Sequence, residues 1–206
     1  MAKVLAVAEQ RDGKFGSGAH EVVSVAARLA QDLGSTAQGA VLAGTGVSLD
    51  ASSLGSFGAD KIVVIEHDAL ADYNPEAWVS TLEDLIREGE YGVVVFSATT
   101  LGKDLAPRIA ARLDVPLASD VTAVDISDGM VSVTRPVFSG KAFAHLEIDA
   151  SPALISIRPN VFPSVESVAE GEVTTVTPDI NVSDFRIRVI ERESSSDGVV
   201  AFQKPL

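Results

Sequence analysis

The sequence has no cysteine, and aromatic residues make up only 5% of it. Without cysteine the chain has no disulfides, no thiolate metal ligands and no cysteine nucleophile, which fits a cytoplasmic protein. No stretch approaches the roughly eighteen uninterrupted apolar residues of a transmembrane helix, so we expect no membrane insertion. The first residues lead directly into a predicted strand, so we expect no secretory leader.

Basic residues are also few. Lys and Arg total 16 against 29 Asp and Glu, which gives a formal net charge of −13. Binding to a nucleic-acid backbone requires clustered cations that release counterions, so this composition argues against a nucleic-acid partner. We interpret the acidity as a device for solubility, or as the mark of a host with high internal salt.

The first half of the chain alternates short apolar runs with segments of helical periodicity. Strands separated by crossover helices predict a parallel sheet with helices on both faces, a three-layer α/β fold. The four predicted strands are residues 3–8, 36–43, 62–65 and 93–96.

Helix signals lie between these strands. We predict a first helix that ends at Gly34, a short helix over residues 49–57, and a second long helix capped by Asn74 with Pro75 at its first position. A third helix follows the fourth strand. Because Pro107 lacks a backbone N–H, this helix begins either near Asp104 or near Thr100 with a bend at the proline.

The second half of the chain has a different pattern. Short apolar runs separated by turns predict an antiparallel ribbon added to the parallel core. Prolines recur after Arg158 and favour an extended chain, and the alternation over residues 185–190 predicts an edge strand or an arm. Residues 193–198 are typical of a polar linker. The ribbon strands are predicted at residues 121–126, 130–137, 142–148 and 153–157.

No catalytic or metal-binding constellation is evident in the sequence. His20, His67 and His145 fall in three separate elements without a partner at ligand spacing, so we predict no metal site. Ser97 lacks the flanking glycines of a nucleophile elbow. Glu9 and Asp12 follow the first strand, but nothing in the sequence pairs them across a reaction centre.

A Gly-Ser-Gly segment at residues 16–18 lies between a predicted strand and a helix, where backbone amides can hold a phosphate. It lacks the full glycine fingerprint of a dinucleotide site and the Lys-Ser ending of a phosphate loop. An ordinary strand-to-helix connection and a phosphate site therefore both remain open, and the same holds for residues 97–103 after the fourth strand.

Three separated groups of residues resemble the N-terminal domain of the electron transfer flavoprotein alpha subunit. They occur in the order and rough spacing of that family, and the resemblance extends from the first strand to about Glu191. The matching runs are Leu-Gly-Lys-Asp-Leu-Ala-Pro-Arg at residues 101–108 with 110–113 and Ser-Asp-Val at 119–121, Arg-Pro-Val-Phe-Ser-Gly-Lys-Ala at 135–142, and Ser-Ile-Arg-Pro-Asn-Val-Phe at 156–162.

This resemblance implies an adenine nucleotide alpha hydrolase-like α/β fold. In the family's beta subunit the equivalent loops hold AMP, whereas the alpha subunit pocket is regarded as empty. The resemblance therefore implies that the present loop is a remnant of a nucleotide site. By this analogy its residues are Ala8, Ser97, Thr99, Thr100, Gly102 and Lys103.

The resemblance also implies partners and a cofactor. The alpha subunit pairs with a beta subunit, and together they carry one FAD that moves electrons from dehydrogenases to electron transfer flavoprotein-quinone oxidoreductase or another acceptor. We expect residues 1–190 to form the N-terminal domain and residues 191–206 to be a linker towards an absent FAD-binding domain. Alone, the chain is expected to bind FAD weakly or not at all. Our interface candidates are Arg135, Arg158, Phe185 and Ile187.

Three hypotheses follow. The first is a scaffold for electron transfer that has no catalytic residue of its own and positions the flavin-bearing parts. The second is a stand-alone adenine-nucleotide-binding module that uses the loops after the first and fourth strands. The third, a hydrolase acting on an adenylated substrate, has the least support in the sequence, because no nucleophile or acid–base pair stands out.

Overall fold

The computed structural model describes residues 2–127 and 129–190. Two kinds of sheet and three long helices form this part of the chain. The strands are β1 Lys3–Val7, β2 Gln10–Arg11, β3 Lys14–Phe15, β4 Ala37–Ala43, β5 Lys61–Glu66, β6 Tyr91–Ser97, β7 Leu117–Val121, β8 Ala123–Ser127, β9 Met130–Val137, β10 Ala142–Ile148, β11 Ala153–Ile157 and β12 Glu172–Val176. The α-helices are α1 Ser17–Asp32, α2 Pro75–Gly89 and α3 Thr100–Leu113, and short 3₁₀ helices span Ala51–Phe57, Asp68–Leu70 and Val182–Asp184.

The main sheet has seven strands in the order β12-β5-β4-β1-β6-β11-β7, and every neighbouring pair is parallel. Its register at the centre places Leu5 beside Gln38 on one side and beside Val94 on the other. Helices cover both faces, so the α/β prediction is confirmed.

Side chains that alternate along each central strand fill two separate cores. Val4 and Ala6 of β1 lie in the core beneath α1, whereas Leu5 and Val7 lie in the core beneath α2 and α3. This alternation follows from the two-residue period of a strand. Because both faces are buried, the central strands are continuous apolar runs, which is why the sequence predicted them correctly.

The helix ends follow local capping chemistry. The Asn74 side chain accepts hydrogen bonds from the Glu76 and Ala77 N–H groups at the start of α2, and Pro75 occupies the first turn, as predicted. The Thr99 hydroxyl accepts a hydrogen bond from Gly102 N–H, so α3 begins at Thr100 and Pro107 lies inside it. Of the two starts that the sequence left open, the structure has the earlier one.

A small antiparallel sheet in the order β10-β9-β8 packs beside the main sheet. Val124, Val131 and Val133 of this small sheet are buried in the core on the α1 side. The turn between β9 and β10 carries three consecutive residues with positive φ, at Phe138, Ser139 and Gly140. The predicted ribbon is therefore present in β8, β9 and β10.

One prediction about the second half of the chain was wrong, and the structure refines two others. The run at residues 153–157 is β11, a parallel strand inside the main sheet, where all five of its residues are buried. Residues 121–126 are divided between the end of β7 and the start of β8. Residues 185–190 form no strand, so only the arm alternative stands.

The chain after β11 runs back along the molecule and adds β12 to the far edge of the main sheet. Gly171 N–H donates to the Ser52 carbonyl as the segment passes the first 3₁₀ helix. Further on, the Glu76 carboxylate accepts hydrogen bonds from the N–H groups of Arg186 and Ile187. The predicted linker at residues 191–206 lies outside the described residues.

Candidate functional site: a cleft at the carboxyl ends of the central strands

A cleft of about 630 Å³ opens at the carboxyl ends of β1 and β6. The chain goes from β1 to β4 on one side of the sheet and later returns to β6 on the other side of β1. Such a point of reversed strand order leaves a crevice in which ligands of open α/β sheets bind. Residues that line this cleft include Glu9, Gln10, Ser17, Tyr73, Thr99 and Pro159.

A carboxylate lies at the start of α3. The Thr99 hydroxyl donates a 2.6 Å hydrogen bond to Glu9 Oε1 while its oxygen accepts from Gly102 N–H. Glu9 therefore lies beside the N-terminus of α3, where the helix dipole favours negative charge. Burial raises the pKa of the Glu9 carboxyl, and the hydrogen bond from Thr99 opposes part of that shift.

Gly102 allows this close arrangement. A Cβ on Gly102 would lie 1.8 Å from the Ser97 carbonyl oxygen and 3.2 Å from Glu9 Oε1. Any larger residue would force the first turn of α3 away from the end of β6. Glycine is therefore required here by close backbone approach rather than by a positive φ.

Ser97 is buried between the two helix starts. Only 2% of the residue is exposed, and its hydroxyl has no hydrogen-bond partner among the described residues. A Cβ on Gly18, in the first turn of α1, would lie 3.2 Å from this hydroxyl. No side chain caps α1, whose N-cap position is Gly16. The two helix starts therefore differ, since that of α3 is capped and faces a carboxylate.

The opposite wall of the cleft is aromatic and ionic. The Tyr73 hydroxyl donates a 2.7 Å hydrogen bond to Asp104, and Arg108 makes two further hydrogen bonds to the same carboxylate. The hydrogen bonds from Arg108, and then from Tyr73, lower the pKa of Asp104. The Tyr73 and Trp78 rings meet edge to face with centroids 5.3 Å apart. These contacts connect Tyr73 to α3, where Asp104 and Arg108 are paired with each other.

A second ionic group lies at the ends of β7 and β11. Arg158 makes two hydrogen bonds to the Asp120 carboxylate, at 3.1 and 2.6 Å. These bonds are the main reason that the pKa of Asp120 lies below its usual value, and the positive charges of Lys103 and Arg135 lower it further. The charges of three cations therefore act on one carboxylate.

The predicted loop residues are only partly brought together. Ser97, Thr99 and Thr100 line the cleft, and Ala8 is buried at the end of β1. Gly102 packs against the Ser97 backbone and so supports the loop. Lys103 acts on Asp120 rather than on the cleft. The role of the loop in nucleotide binding therefore stays a prediction.

The interface candidates occupy two places. Arg135 and Arg158 belong to the group around Asp120. Phe185 packs against the core beneath α2, and the Ile187 carbonyl accepts a hydrogen bond from the Asn74 side chain. Their role as an interface also stays a prediction. No local pattern in the sequence indicates that Glu9 meets Thr99, because the two are 90 positions apart.

The histidines lie in three separate environments. His20 stacks on Phe57 with ring centroids 4.0 Å apart, and burial lowers its pKa. His67 Nδ1 accepts from Ala69 N–H, and His145 pairs with Thr134. Within residues 2–127 and 129–190, no three His, Asp or Glu side chains are grouped so that they could hold a metal ion. In the same ranges, no helix has both the length and the apolar character needed to cross a membrane.

An open parallel sheet with helices on both faces and a crevice at its switch point defines a doubly wound α/β domain. Residues 4–181 match the electron transfer flavoprotein domain. The chain belongs to this family, which confirms the resemblance seen in the sequence.

Curated relatives extend the comparison. The chain is 35% identical over 201 residues to the electron transfer flavoprotein subunit alpha of Thermoanaerobacterium thermosaccharolyticum. The matched region covers 96% of this chain and 61% of that protein. It is 32% identical over 202 residues to the same subunit of Bacillus subtilis, covering 96% and 60%. It is 32% identical over 203 residues to acryloyl-CoA reductase electron transfer subunit beta of Anaerotignum propionicum, covering 85% and 55%. The chain thus spans little more than half the length of these relatives.

Proposed function

We propose that this chain acts in electron transfer as the N-terminal domain of an electron transfer flavoprotein alpha subunit. Residues 1–190 form the domain and residues 191–206 lead towards a domain that carries FAD. The chain serves as a docking body without a catalytic residue of its own, and it works in the cytoplasm. Its match to about three fifths of the length of relatives named as alpha subunits supports this assignment.

The proposed partners follow from the same assignment. A beta subunit binds the chain, and the pair receives electrons from dehydrogenases and passes them to electron transfer flavoprotein-quinone oxidoreductase or another acceptor. FAD supplies the redox chemistry in the complete heterodimer. The present chain positions the flavin-bearing parts and takes no part in the chemistry. Its described residues form structural ion pairs rather than an acid–base pair suited to catalysis.

The position of Glu9 supports the proposal that FAD does not bind at the start of α3. A phosphate bound at the start of α3 would need the amides and the dipole of that helix. The Glu9 carboxylate already lies there, hydrogen-bonded to Thr99 and partly desolvated. A second anion beside it would be repelled in a medium of reduced dielectric constant. The start of α3 therefore does not fit the pyrophosphate of FAD.

Titration of the purified chain tests the cofactor part of the proposal. With FAD we expect no stoichiometric yellow complex, and with AMP we expect no heat in calorimetry. The beta subunit from the same organism should form a stable complex with the chain in gel filtration. A yellow complex of the chain alone, or no complex with the beta subunit, would contradict the proposal.

A Glu9→Ala variant sharpens this test. If the carboxylate closes the helix start, its removal should allow AMP to bind with measurable heat. The control Glu170→Ala removes one negative charge from an exposed position away from the cleft. It should behave like the unchanged chain. AMP binding by both variants would mean that net charge, and not the position of Glu9, controls the cleft.

A stand-alone adenine-nucleotide module is the second candidate. One observation favours it: α1 begins at Gly16 without a side-chain cap, and the unpaired Ser97 hydroxyl lies next to its first turn. A phosphate at α1 would not have to displace Glu9. Stoichiometric AMP binding by the unchanged chain would select this candidate over the scaffold.

A further inference from the structure

Another cavity, the α2 cavity, has a volume of about 650 Å³ and lies between α2, the β5–β12 edge of the main sheet and the segment that follows β12. Small-molecule sites in proteins have volumes of about 300–1,000 Å³, so this cavity is large enough for one ligand. The apolar residues that line it are Val63, Ile65, Leu85, Val176, Ile180 and Phe185. They come from all three elements and continue into the core beneath α2, so the cavity suits a ligand with an apolar body.

One polar side chain of this cavity lacks a partner. Thr81 of α2 lines the cavity and is only 6% exposed. Its hydroxyl has no hydrogen-bond partner in the part of the chain that the structure describes, whereas the neighbouring Ser80 hydroxyl donates to the Ala77 carbonyl. Buried hydroxyls are nearly always hydrogen-bonded, because an unpaired one loses its contacts with water without compensation. The Thr81 oxygen is therefore available to accept a hydrogen bond from a ligand.

The charged side chains that line the α2 cavity all carry the same sign. Among the described residues they are Asp84, Glu88, Asp179 and Asp184, with no Lys, Arg or His. The first three of these form no ion pair with any described residue, and Arg87, next to Glu88, pairs with another carboxylate of α2. A cleft with apolar walls and charges of one sign concentrates ions of the opposite sign. The cavity therefore favours a cation.

We propose that the α2 cavity binds a small organic cation that carries an ammonium group on an apolar body. An ammonium group has N–H donors and no acceptor, which suits both the carboxylates and the Thr81 oxygen. The apolar body lies against Leu85 and Phe185. A bare metal ion fits less well, because it would leave the apolar lining uncovered and no three described side chains are grouped to hold it. This site goes beyond the proposed function, since it involves neither FAD nor the beta subunit.

The first test compares three ligands on the full chain by titration calorimetry. The probe 4-phenylbutylamine carries both an ammonium group and an apolar body, and we expect a dissociation constant on the order of 0.1–1 mM. The alcohol 4-phenyl-1-butanol keeps the body without the charge, and methylamine keeps the charge without the body. Both should bind at least roughly fivefold more weakly. Equal affinity for either one, or no binding of the probe at millimolar concentration, would overturn the proposal.

The second test removes one charge from the cavity. Asp84→Asn should weaken binding of 4-phenylbutylamine roughly three- to tenfold, because the cavity loses one of its carboxylates. The matched control is Glu170→Gln, which removes one negative charge from an exposed position before β12, outside the cavity. It should change affinity less than about twofold. If both variants weaken binding equally, net charge attracts the amine and the cavity is not its site.

The third test concerns the unpaired hydroxyl. Thr81→Val keeps the shape of the side chain and removes its oxygen, so binding should weaken about threefold. The melting temperature of the empty chain should stay the same or rise, because no buried hydroxyl is left without a partner. Thr81→Ser keeps the hydroxyl and should bind the probe nearly as well as the unchanged chain. Tighter binding by the valine variant than by the serine variant would contradict a role for this oxygen.

Amide exchange locates the bound probe. An occupant of the α2 cavity contacts both α2 and residues 177–185, so 4-phenylbutylamine should slow exchange in these two segments together. The other cleft, at the carboxyl ends of β1 and β6, also contains carboxylates and serves as the internal comparison. Slower exchange around that cleft, with none in residues 177–185, would place the amine elsewhere and overturn the proposal.

Discussion

Two strands join the main sheet late in the chain, and they differ in almost every physical respect. All five residues of β11 are buried, and it lies between β6 and β7. All five residues of β12 are exposed, and it pairs with β5 alone. The first is part of the core and ends beside the cleft, where its Ile157 carbonyl accepts from Ala98 N–H. The difference teaches that late addition to a sheet does not decide how much a strand contributes to stability.

A cavity in β11 is expected to have the largest effect on the free energy of unfolding, and it tests this difference between the two strands. Leu154 is fully buried in the core beneath α2 and α3. We expect Leu154→Ala to lower the free energy of unfolding by roughly 2–5 kcal/mol, because lost burial and an unfilled cavity add. Urea denaturation measures it. Leu154→Met, which preserves volume, should cost less than about 1.5 kcal/mol. A loss of stability below about 1 kcal/mol for the alanine variant would contradict the statement that β11 is part of the core.

The next effect concerns how β12 is held in place. A Cβ on Gly55 would lie 1.8 Å from Gly171 N, at the entry to β12. Gly55→Ala should therefore push this segment away from the first 3₁₀ helix, at a cost of roughly 1–3 kcal/mol. We expect faster proteolysis and faster amide exchange in β12 than in β11. Gly16→Ala is the control, since nothing lies within 4 Å of its Cβ. Equal exchange rates in both strands would show that β12 does not depend on this contact.

A substitution at the cleft is expected to stabilise the folded chain rather than to destabilise it. Burial raises the folded-state pKa of Glu9 above the ordinary value of a glutamate side chain, so the ionised carboxylate destabilises the folded chain near neutral pH. The stability linked to Glu9 is fully present below that value and is lost as pH rises through the folded pKa. Glu9→Gln should therefore raise the melting temperature at pH 7, and the gain should shrink at pH 4. A gain that grows on acidification would contradict this assignment.

The smallest effect is expected at the edge strand itself. Lys61 and Glu172 form an ion pair across β5 and β12 at 3.3 Å, with both side chains more than 60% exposed. Such pairs are weak in water, so Lys61→Ala should change the free energy of unfolding by about 0.5 kcal/mol or less. Chemical denaturation at low and high salt measures it. A loss comparable to that of Leu154→Ala would mean that β12 is as important as β11.

The parts of the fold that the sequence predicts are those with local signals. Each of the first four parallel strands is an apolar run, and Asn74 with Pro75 marks the start of α2 through chemistry confined to one turn. The place of β11 was not predictable in this way. Its five residues require cover on both faces, but no local pattern tells whether the neighbouring strands run parallel or antiparallel.

The C-terminal end was less predictable for another reason. In β12, residues of high strand propensity lie among prolines and polar groups, and their pairing with β5 depends on a distant edge. The alternation at residues 185–190 resembled a strand, yet the backbone N–H groups of Arg186 and Ile187 donate to the Glu76 side chain instead. A side chain from another element thus replaced the strand partner.

The candidate site was predictable in place but not in detail. A loop after a buried strand at residue 97 indicated the correct edge of the sheet. The contact of Glu9 with Thr99 and the group of cations around Asp120 arise from elements far apart in the chain. Only the folded arrangement of β1, β6, β7 and β11 brings them together.

Asn74 has two simultaneous duties: its oxygen caps α2, and its nitrogen donates to the Ile187 carbonyl of the arm. Freeing the arm therefore leaves a helix cap with one hydrogen bond fewer, and fraying of the helix releases the arm. The two segments should therefore open as a single cooperative unit. Displacement of the arm would then also move Tyr73, which precedes Asn74 and lines the cleft.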